Sequence, residues 1–137
     1  MRVALWALPA ILITYGCNAA DEPSICVPPL SGWSTPKTGK PVHVVANSIV
    51  LARGDIRWNG VPINEATLGN YLRQSASMEP LPFLVFDPGD APDCQFARQV
   101  RDIVDRNYPC GEGACWQGSK AELERTPFRA PKGNAVP

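Results

Sequence analysis

The chain is poor in the groups that make chemistry easy to recognise. Its 137 residues include one histidine, His43, and neither sign of charge prevails, with 13 basic and 13 acidic side chains. A lone histidine set among valines, with no second imidazole and no adjacent nucleophile, points to a structural or surface role rather than acid-base catalysis. Evenly mixed charge gives no clustered basic surface for phosphates, which argues against nucleic acid as a partner. No Cys-x-x-Cys is present, so the common redox motif is missing. The long apolar stretch, Val3 to Ile13, falls short of the roughly 20 residues that a spanning helix needs. What remains, at 45% hydrophobic residues, fits one globular domain and leaves no room for two.

The first twenty residues stand apart from the rest. Arg2, the apolar run and then Gly16-Cys17-Asn18-Ala19-Ala20 make a secretory signal peptide over residues 1–20. Gly16-Cys17 resembles a bacterial lipobox, in which Cys17 would be acylated and become the new N-terminus; cleavage after Ala19 or Ala20 would instead discard it. Either route removes a lone thiol from an oxidising compartment, and export to the periplasm is the expected localisation. The only contact with a membrane would then be a lipid anchor.

Cys26, Cys94, Cys110 and Cys115 form an even set downstream, read as two structural disulfides. Of the three pairings, Cys94 with Cys110 is excluded, because the helix between them would hold the two roughly 20 Å apart, against about 4.4 to 6.8 Å for a disulfide. Of the two pairings left, Cys110 with Cys115 is favoured, since Gly111 and Gly113 permit a tight loop; Cys26 would then join Cys94. Residues 21–41 hold Pro23, Pro28, Pro29, Pro36 and Pro41 and read as an extended linker. Residues 119–137, with Pro127, Pro131 and Pro137, read as a poorly ordered tail.

Between them, residues 42–118 carry the pattern of a small α/β domain. Val42 to Ala52 is a β-branched strand. Asp55 to Trp58 and Val61 to Ile63 flank Asn59-Gly60, a dipeptide suited to a type I′ turn. Asn64 caps a helix, with Ile63 and Leu68 as its staple, that buries Leu68, Tyr71 and Leu72 and ends before Pro80. Phe83 to Phe86 lacks alternation and belongs inside the sheet with both faces covered. Asp93 caps a second helix whose apolar positions Phe96, Val100, Ile103 and Val104 share one face. A last strand returns near Ala114 to Gln117 by a right-handed crossover. The fold class is therefore α/β with two layers: a small mixed sheet, two amphipathic helices on one face, and disulfide staples.

The series Val50-Leu51, Ile56 to Ile63 with its Asn59-Gly60 turn, Leu68 with Leu72, Phe83-Leu84-Val85-Phe86-Asp87 and the helix Phe96 to Val104 resembles the periplasmic domain of the ExbD/TolR family of biopolymer transport proteins. The likeness covers residues 42 to 117 and rests on the order of apolar segments and turns. It implies a periplasmic domain that dimerises and contacts energy-transducing partners or peptidoglycan. The family's spanning helix bears a proton-responsive aspartate, whereas residues 1–20 contain no Asp or Glu. A proton-driven motor needs such a group in the membrane, so the resemblance extends to the domain and not to the motor.

Two function classes follow. One is a non-catalytic exported binding module, acting through a homodimer or an exposed strand edge on an envelope protein or peptidoglycan, with Trp58 as its candidate contact residue. No cofactor or metal is expected for it. The other is a small secreted enzyme, or enzyme accessory, using Asp87, Asp90 and His43. The segment Asp87 to Asp93 does not have EF-hand spacing, and its prolines and glycine read as a turn ending in a helix cap. Arg98, Arg101, Asp102, Asp105 and Arg106 form opposite-charge pairs four apart, the pattern of a solvated helix face.

Overall fold

The structure, a computed structural model, describes residues 27–40, 46–90 and 93–129. Five strands, β1 (Ala46–Ala52), β2 (Asp55–Trp58), β3 (Val61–Ile63), β4 (Phe83–Asp87) and β5 (Cys115–Gln117), form one sheet in the order β3-β2-β1-β4-β5. The first three make an antiparallel meander, while β4 lies parallel to β1 and β5 parallel to β4. The two parallel steps are bridged by the helices α1 (Glu65–Ala76) and α2 (Cys94–Asn107), the expected use of a helix as a crossover.

Local chemistry sets the element ends. Asn59 and Gly60 both have positive φ, 49° and 87°, as a type I′ turn requires. The Asn59 side chain adds to this by accepting from the Ser48 amide at 2.8 Å, which ties the turn to β1. Asn64 accepts from the Thr67 amide and starts α1; Asp93 accepts from the Gln95 and Phe96 amides and starts α2.

Leu84 and Phe86 of β4 face α1 and α2 and join Ile49, Leu68, Leu72, Val100 and Val104 in the main core. Each such side chain, taken fully out of water, contributes about 1.5–3 kcal/mol. Phe83 and Val85 point the other way and pack with Trp116 and Leu123. This explains the missing alternation of β4: it is an interior strand buried on both faces. Tyr108 closes the main core, donating to the Pro82 carbonyl, and burial pushes its phenol up to about 12.

Several expectations are corrected. Residues 27–40 are part of the domain rather than a spacer: Val27, Trp33 and Ser34 are buried. Trp33 stands edge-on to Phe86 and donates from Nε1 to Asp105 at 3.1 Å. The Ser34 amide donates to Cys115 O and its carbonyl accepts from the Gln117 amide, both at 2.8 Å, so the segment lies along the outer edge of β5. Prolines deny this stretch regular structure, yet its apolar side chains still bury area. Gly32 permits the approach, since a Cβ there would collide with the Gly111 backbone.

Arg101, assigned to a solvated face, is buried under this arm and donates from Nη1 to Pro28 O at 2.7 Å. Residues 119–129, assigned to the tail, begin with a capping box of Ser119 and Glu122 and form α3 (Lys120–Arg125). Beyond it, Arg129 N donates to Lys40 O at 2.7 Å, so tail and arm pair with each other. The first strand is described only from Ala46; residues 41–45, and with them His43, lie outside the described residues, as does the segment 1–20 with Cys17.

Cys110 and Cys115 form a disulfide with Cα atoms 4.8 Å apart, across a single 3-10 turn at Cys110–Glu112. This leaves Cys94 with a different partner, as helix length required. Cys94 is itself disulfide-bonded; Cys26, the partner expected for it, is outside the described residues.

Candidate functional site: an aromatic groove beside the open end of the sheet

Along β2, Ile56 and Trp58 turn toward the helices; Ile56 is buried, and Trp58, at the end of the strand, is half-buried. Its ring leans on Tyr71 of α1, with centroids 5.6 Å apart and planes inclined at 54°. Tyr71, an expected core residue, is 38% exposed, because Leu68, Leu72 and Ser75 hold the buried stripe of α1 and leave it at the margin. Met78 follows seven residues later on the same side, just past the helix end. With Asn47, Gln74, Ser75 and Pro82 these side chains line a groove of about 290 Å³.

Polar groups rim the groove and brace one another. Asn47 donates to Ser75 Oγ at 3.3 Å and accepts from Asn59 Nδ2 at 2.9 Å. The turn that shapes the hairpin therefore also holds one wall of the groove. The side-chain donors of Trp58, Tyr71 and Gln74 make no hydrogen bond among the described residues. None of the lining residues is charged.

The sheet edge next to this groove is β3. Trp58 and Val61 close the two-residue turn as a directly paired couple, and Ile56 faces Ile63, so the backbone of the intervening Pro62 is the one directed outward. Proline has no N–H to offer, which leaves the edge a single carbonyl and makes it a poor template for an added strand. The strand edge is thereby a weaker route to binding. The groove gains by comparison.

The acidic segment is organised differently. Asp87 accepts from the Gly89 amide at 2.9 Å, and Asp93 spends its carboxylate on capping α2. Burial raises the Asp87 carboxyl above its ordinary value; the Gly89 bond opposes this, and the negative charges of Asp90 and Glu122 add to it. A broader hollow of about 650 Å³ near Arg53, Asp90, Asp93 and Phe96 does not include Asp87 in its lining. Among the described residues no three His, Cys, Asp or Glu side chains gather as a metal site. These carboxylates serve a turn and a helix cap, the chemistry read from Asp-Pro-Gly.

No family model, no curated protein and no solved structure matches this chain. Among the described residues no helix is long and apolar enough to cross a membrane. Sequence reading singles out Trp58 and misses Tyr71 and Met78 as its companions. Their seven-residue spacing marks one helical side, but only tertiary packing, which sets the Trp58 ring against Tyr71, brings them to Trp58.

Proposed function

We propose that this chain is a non-catalytic, exported binding module of the cell envelope, built on an ExbD/TolR-like domain and either free or tethered through Cys17. The observation that carries the reading is a concentration of exposed apolar surface. Of the four large apolar side chains exposed among the described residues, Val61, Tyr71 and Met78 lie around Trp58, and Phe128 alone lies elsewhere. Grouped apolar and aromatic exposure marks recognition surfaces, whereas single exposed side chains are ordinary. The ExbD/TolR part of the reading rests on the sequence resemblance over residues 42 to 117. Partners of the kind the resemblance implies, an envelope protein, peptidoglycan or a second copy, would meet the Trp58 face.

Mass spectrometry of the protein recovered from host membrane and soluble fractions tests export and anchoring together. The expected mature N-terminus is an acylated Cys17 or a residue following Ala19 or Ala20. An intact Met1 in a cytosolic fraction would overturn the reading.

A further inference from the structure

The uncharged lining of the Trp58 groove restricts what can occupy it. In a chain of which 19% of residues are charged, none of the described residues lining this groove is. A phosphate, carboxylate or ammonium group entering it would shed hydration without meeting a counter-charge. Strand addition is hindered at the neighbouring edge by Pro62. The unpaired polar side chains at the groove, Trp58 Nε1, Tyr71 Oη and the Gln74 amide, can all donate, so they suit a ligand with free carbonyls and few donors of its own.

A polyproline II segment has this chemistry. It makes no internal hydrogen bonds, its prolines carry no N–H, and its shape exists before binding, which reduces the entropy lost on docking. Its pyrrolidine rings need apolar walls, and the Trp58 and Tyr71 rings, inclined at 54°, form a corner with Met78 and Pro82 continuing the surface. We propose that this groove binds a proline-rich segment of a partner protein in the polyproline II conformation. The proposal rests on the binding-module reading and names the class of its partner.

Titration of the purified full-length protein with a decaproline peptide, followed by tryptophan fluorescence, tests it. Of the four tryptophans, Trp6 is replaced in a Trp6→Phe background for this measurement and Trp33 and Trp116 are buried, so a change in emission on binding reports chiefly on Trp58. A saturable change with decaproline and none with a Gly-Ser peptide of equal length is expected. Tyr71→Ala should weaken binding roughly tenfold or more, Tyr71→Phe less, and Phe128→Ala not at all. Equal response to the Gly-Ser peptide, indifference to Tyr71→Ala, or no response to decaproline overturns the proposal. A response only to an N-acetylglucosamine oligosaccharide, or a peptide-free dimer that already covers Trp58 in sedimentation, overturns the proline class and leaves a binding module standing. An intact Met1 in the cytosol would instead remove the exported module itself.

Discussion

The two edges of the sheet are finished in opposite ways. At β5 the arm from Val27 to Lys40 pairs its Ser34 backbone with Cys115 and Gln117, buries Trp33, and draws side chains from α2 onto itself. At β3 no such cover is present among the described residues, and Pro62 blunts the edge. Both devices prevent uncontrolled strand pairing, yet they leave different surfaces. The β5 side uses its aromatic and polar groups to hold the fold together; the β3 side leaves Trp58, Tyr71 and Met78 partly open to solvent. A sheet that stores its stability at one edge can leave the other free for recognition.

The sharpest way to break this comparison is Trp33→Ala. It removes a buried ring from the core and the partner of Asp105, and should cost about 3–5 kcal/mol in denaturant unfolding. A change below about 0.5 kcal/mol would mean that the arm is a spacer after all. Replacing Cys110 and Cys115 together by serine comes next. Opening so short a loop should cost about 2 kcal/mol, with decaproline binding unchanged at the far edge. Gly60→Ala follows, at about 1 kcal/mol or more, because alanine is strained at a φ of 87°. Since this turn also positions Asn59 against Asn47, binding should weaken along with stability.

Asp87→Asn probes the β5 side through pH. The Asp87 carboxyl is raised above the ordinary 3.8, so the fold favours the protonated form. The stability this contributes is fully present below the ordinary value and is lost as pH rises through the raised one. Thermal midpoints of the wild type should therefore lose that contribution between acid and neutral pH. The substituted carboxamide cannot ionise but can still accept from the Gly89 amide, so the variant should lack that dependence and melt higher at pH 7. Identical pH profiles would show that Asp87 plays no part. The smallest stability effect is expected from Tyr71→Ala, within about 1 kcal/mol of wild type by chemical denaturation, while binding at the groove falls. A large loss of stability there would make Tyr71 a core residue and dissolve the contrast between the edges.

What the sequence made legible was mostly local. Asn59-Gly60 acts through its own backbone conformation, and Asn64 and Asp93 through hydrogen bonds within three residues, so their roles could be read directly. The Cys110–Cys115 bond was readable in the same local way: helix rise excludes only Cys94 with Cys110, and Gly111 and Gly113 favour the short loop among the two pairings that remain. The arm was misread because proline density reports the absence of regular backbone and says nothing of burial, which for Trp33 depends on Phe86 and Asp105 far along the chain. Helix α3 had a readable signature, Ser119 to Glu122, obscured by the prolines that follow. Of the site, Trp58 was visible as an aromatic at a strand end, while Tyr71 was drawn into the buried stripe by its apolar character. Its place at the margin follows from long-range packing, which no local pattern encodes.

The burial of the arm also bears on distance. Had residues 27–40 also been spacer, a domain tethered at Cys17 could swing through a wide radius and search a broad layer above the bilayer. With packing already under way at Val27, only nine residues would lie between an acylated Cys17 and the folded body. Fully stretched, that leash reaches about 35 Å. A lipid-anchored form would thus be confined to a shell set by that reach. It would meet only those partners that come to the membrane surface.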